Sequence, residues 1–96
     1  MNDLNLLKTE PYRFNPMLCR SANISTTEAH FLRWLFLAER SNAEIIQEYG
    51  MGLAYGLLKQ GYVENPLGER DNASTNLWKL TPDGTSLLKR AAGVKP

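Results

Sequence analysis

Few residues in this chain are of types able to carry covalent chemistry. Cys19 is its single cysteine and His30 its single histidine. Together they would make a thiolate–imidazole pair, but such a pair needs a third group to orient the base, and no motif supplies one. His30 also lacks a Cys, Asp or Glu partner at metal-site spacing, so it reads as a packed or surface helix histidine. Gly50, Gly52 and Gly56 are closely spaced, yet a phosphate loop needs Lys-Ser or Lys-Thr to follow them, and neither does. No catalytic group, metal or cofactor is expected.

A second polar constellation is Glu69-Arg70-Asp71-Asn72. Here the choice is between a solvated turn with weak local ion pairs and a loop that presents Arg70 and Asn72 to a partner. It lies inside the stretch that organises the chain, Gly61 to Leu88, GYVENPLGERDNASTNLWKLTPDGTSLL. Tyr62-Val63 opens a β-prone run that Asn65-Pro66 stops, since proline brings no N–H to a ladder. From Gly68 to Asn76 only Ala73 is apolar, which makes a loop. Leu77-Trp78-Lys79-Leu80 resumes the strand, with Leu77 and Lys79 on one face and Trp78 and Leu80 on the other. Thr81-Pro82-Asp83-Gly84 is helix-start chemistry: a capping hydroxyl, proline at the first helical position, an acid in the first turn. Leu87, Leu88, Ala91 and Ala92 continue as a helical stripe. Trp78 is expected in the core, joining hairpin to helices.

A two-stranded hairpin is marginal in water alone and must lie on helices. Ser25-Thr26-Thr27-Glu28 is a capping box, followed by Phe31, Leu32, Leu35, Phe36 and Ala38 at helical spacing, with Trp34 and Leu37 widening the face. This predicts a helix over about 26–40. Ser41-Asn42-Ala43-Glu44 is a second capping box, opening a helix over about 42–49 with Ile45, Ile46 and Tyr49 inward. A third helix runs from Gly52 or Leu53 to Gln60, with Leu53, Leu57 and Leu58 inward and Gly61 as its exit. Gly52 and Gly56, four apart, are expected to pack against the second helix; the alternative is a face open to a partner. Residues 1–24 form an N-terminal arm before a domain over 25–96. Pro11 and Pro16 break any long element in it, while Tyr12, Phe14, Met17 and Leu18 make it apolar enough to pack on the domain or on a second subunit.

Leu57-Leu58-Lys59-Gln60-Gly61-Tyr62-Val63-Glu64, with Trp78-Lys79-Leu80-Thr81-Pro82-Asp83-Gly84 after the loop, resembles the winged helix-turn-helix superfamily, especially its MarR-like and PadR-like regulators. The resemblance spans roughly Ser25 to Arg90. It implies a mostly α fold with a small β-hairpin (α+β), winged helix-turn-helix, and a DNA-binding transcriptional regulator that acts as a homodimer on double-stranded DNA. It places Tyr55, Lys59 and Gln60 toward the major groove, Arg70 and Asn72 at the wing, and Lys79 at a phosphate. Between the start of the second helix and the glycine after the third, family members carry about one and a half turns more, so the third helix is short, and it carries no arginine.

Ninety-six residues, 43% of them apolar, make one domain with a modest core. Eleven Lys and Arg balance ten Asp and Glu, so whole-chain charge names no polyanionic partner. Charge by segment is more informative. Residues 39–64 set Arg40 and Lys59 against Glu39, Glu44, Glu48 and Glu64, a net of −2. Residues 65–96 set Arg70, Lys79, Lys89, Arg90 and Lys95 against Glu69, Asp71 and Asp83, a net of +2. A phosphate-binding face needs positive charge, so a winged-helix module turned to protein contact, as an inhibitor or adaptor, stands beside the DNA reading. No stretch approaches the roughly 20 apolar residues that span a bilayer. The start, MNDLNLLKTEPYR, is not a secretory signal. A lone cysteine suits a reducing cytoplasm.

Overall fold

The computed structural model describes residues 7–9, 12–65 and 77–94. Its elements are α1 (Pro16–Ser21), α2 (Thr26–Leu37), β1 (Arg40–Ser41), α3 (Asn42–Glu48), α4 (Met51–Lys59), β2 (Val63–Glu64), β3 (Leu77–Leu80) and α5 (Pro82–Ala92). The fold is mostly helical with a small antiparallel sheet, an α+β arrangement.

Caps set most of the boundaries. At both Ser25 and Ser41 the hydroxyl accepts the N–H three residues on, while Glu28 and Glu44 return to the serine N–H. α2 ends at Leu37 rather than near 40, because Ala38 turns fully extended. Arg40 Nε then donates to the Trp34 carbonyl at 3.2 Å, satisfying an acceptor in the last turn. The segment thus freed, Arg40–Ser41, is a strand that periodicity could not reveal. It pairs with β3 in the register Arg40↔Trp78 and Ser41↔Leu77. β2 pairs with the other edge of β3, Val63↔Leu80 and Glu64↔Lys79. The expected two-stranded hairpin is therefore a three-stranded sheet of order β1-β3-β2. β3 alternates as expected, with Leu77 exposed and Trp78 1% exposed.

Proline at 16 begins an element rather than breaking one. Asn15 caps α1 by accepting the Met17 N–H, and Pro16 sits in the first turn, where its missing N–H loses nothing. Leu7, Phe14, Cys19 and Ala22 belong to the same core as Phe31, Leu32, Ile45, Leu57, Trp78 and Leu88. Arg33, buried in α2, holds the incoming chain, with Nε on the Leu7 carbonyl at 2.7 Å and Nη2 on that of Thr9 at 3.0 Å. The described part of 1–24 thus packs on the chain itself, α1 against α5 and α2.

α5 crosses close behind β2. Thr81 caps it by accepting the Gly84 N–H, and donates its own hydroxyl to the Gly61 carbonyl. Gly84 faces the Tyr62 carbonyl so closely that any Cβ there would collide with backbone. Leu87, Leu88 and Ala91 are fully buried. They are part of the core and offer no surface to a second subunit.

Candidate interaction face

The α3–α4 pair and the sheet edge beside it hold the residues expected to meet a partner. α3 buries Asn42 and Ile45, with Tyr49 half-buried after it, and the Tyr49 ring packs 5.1 Å from that of Phe31 and 5.2 Å from that of Trp34. Ile46, expected inward, stands 61% exposed. A 100° step per residue carries it out of the arc that Asn42, Ile45 and Tyr49 define. Gly50, at φ +87°, makes the turn into α4 in a backbone region that favours glycine.

α4 buries Ala54 and Leu57 and half-buries Met51, Leu53, Tyr55 and Leu58. What it turns outward is Gly52, Gly56, Lys59 and Gln60. The expectation that the glycines pack inside is not met: both are exposed, and a Cβ at either would meet nothing within 4 Å among the described residues. Tyr55 is half-buried, its ring 5.8 Å from that of Trp78. Gln60 folds back to donate to the Gly56 carbonyl at 3.1 Å. Lys79 pairs across the sheet with Glu64 at 3.3 Å. Lys59 is exposed and makes no ion pair among the described residues. Arg70 and Asn72 lie outside the described residues. The structure brings Tyr55, Lys59 and Gln60 onto one short helix, and it gives all but Lys59 a partner within the chain.

On the other flank, Trp34, Arg40, Glu44, Gln47 and Glu48 line a shallow cleft. The Arg40 guanidinium lies 4.6 Å over the Trp34 ring and 3.6 Å from Glu44. The Glu44 carboxyl is held below its ordinary range, chiefly by the Ser41 backbone N–H. The Ser41 hydroxyl and Arg40 add to this, against an opposing effect of desolvation. Glu48 is exposed and unpaired among the described residues. Arg33, Arg40 and Asn42 escaped the sequence reading. Arg33 left one signal, a lone charge in the run FLRWLFL; Asn42 looked like a helix-start residue and no more.

Burial pushes the Cys19 thiol up, which makes it a poor nucleophile. His30 stands edge-on to Phe14 at 5.0 Å, and no hydrogen bond joins it to Cys19. Among the described residues no cluster of three His, Cys, Asp or Glu side chains is placed to hold a metal. No helix among them is long and apolar enough to cross a membrane. No protein-family model, curated protein or solved structure matches the chain.

Proposed function

We propose that the chain is a winged helix-turn-helix module whose α4 face contacts a protein rather than duplex DNA. Connectivity supports the first half: from α2 onward, helix, short strand, two helices, two strands and a helix, with β3 between β1 and β2. In that arrangement α4 takes the place of the recognition helix and β2 and β3 those of the two wing strands.

The outward face of α4 carries the second half. A glycine inside a helix is destabilising by about 0.5–1 kcal/mol relative to alanine. Gly56 stands there inside α4 and Gly52 in its first turn, with open space beyond both, so nothing among the described residues compensates for that loss. Bare backbone on a helix lets another chain approach closely, and that is the use left for it. Charge argues the same way. Lys59 is the one cation α4 turns outward, Lys79 is paired with Glu64, and α3 carries Glu44 and Glu48 and no basic side chain. A phosphate backbone would find little on these helices to release its counterions.

The DNA-binding regulator is the second reading. The same connectivity favours it, as does Lys59, which makes no ion pair among the described residues; its other expected contacts, Arg70 and Asn72, lie outside the described residues. Amide chemical shifts of the full chain, followed while random-sequence duplex is added at low salt, separate the two. The protein-contact reading expects no movement at Gly52, Gly56 and Lys59. Saturable shifts at those three amides would overturn it.

A further inference from the structure

We draw no further inference here: the strongest candidate, the surface patch made by the exposed side chains of Met17 and Leu18 on α1 where that helix packs on α5, carries nothing because nothing in the structure shows what covers it.

Discussion

Trp78 donates its indole N–H to the Asn42 side-chain carbonyl, and both residues are buried. The bond ties β3 to the first turn of α3 across 36 residues of sequence. It also explains why an asparagine occupies a buried position, since a buried indole N–H without an acceptor is destabilising. Trp78→Ala should lower stability by about 3–5 kcal/mol. Asn42→Ala, which leaves the indole unpaired, should lower it by about 1–3 kcal/mol. Denaturant melts check both, and an unchanged midpoint for Trp78→Ala would remove the tryptophan from the core.

The glycines should respond with opposite signs. Gly84→Ala drives a methyl into the Tyr62 carbonyl, and overpacking of this kind is destabilising by about 1–3 kcal/mol. Gly52→Ala and Gly56→Ala meet nothing among the described residues; Gly56→Ala, inside α4, should stabilise by about 0.5–1 kcal/mol, and Gly52→Ala, in the first turn, by less. Thermal melts of the three single variants decide it. A fall in melting temperature for Gly52→Ala or Gly56→Ala would mean that the α4 glycines serve the fold after all.

Those glycines also mark where the sequence stopped being legible. Caps are local, so Ser25 with Glu28, Ser41 with Glu44, and Thr81 with Pro82 announced α2, α3 and α5 correctly. The alternation of Leu77 and Trp78 announced which face of β3 is inward. Direction around a short helix is not local. With seven residues in α3 and nine in α4, too few apolar positions exist to fix a phase, so the sequence points Ile46 and the glycine pair inward where the fold turns them out. β1 is two residues long, below any periodicity, and became visible only through pairing with β3. Pro16 looks like a breaker in the sequence because its helix is short and its cap, Asn15, lacks the capping-box glutamate.

Acid should find Glu44. Its folded-state pKa is depressed, so it contributes stability above the unfolded carboxyl pKa of about 4.3, and that contribution is lost as pH falls through the lower folded value. Melting temperatures of the wild type and Glu44→Gln should therefore differ at neutral pH and converge below about pH 4. Parallel curves down to strong acid would mean that the Ser41 cap does not depend on the carboxylate.

Cys19 reports on the docking of α1. Its thiol is buried and its pKa raised, so a neutral disulfide reagent should react much more slowly with the native protein than with the unfolded chain. Phe14→Ala, which removes a buried ring beside His30 and Tyr12, should speed that reaction. Equal rates in native and unfolded protein would detach residues 12–22 from the core.

Binding of random-sequence duplex DNA as a function of salt tests the central claim most directly. A protein-contact face on α4, with Lys59 as its one outward cation, predicts no binding at micromolar protein even at low salt. Binding that weakens linearly in log salt, with a slope that drops by about one in Lys59→Ala, would contradict it and return α4 to the DNA groove.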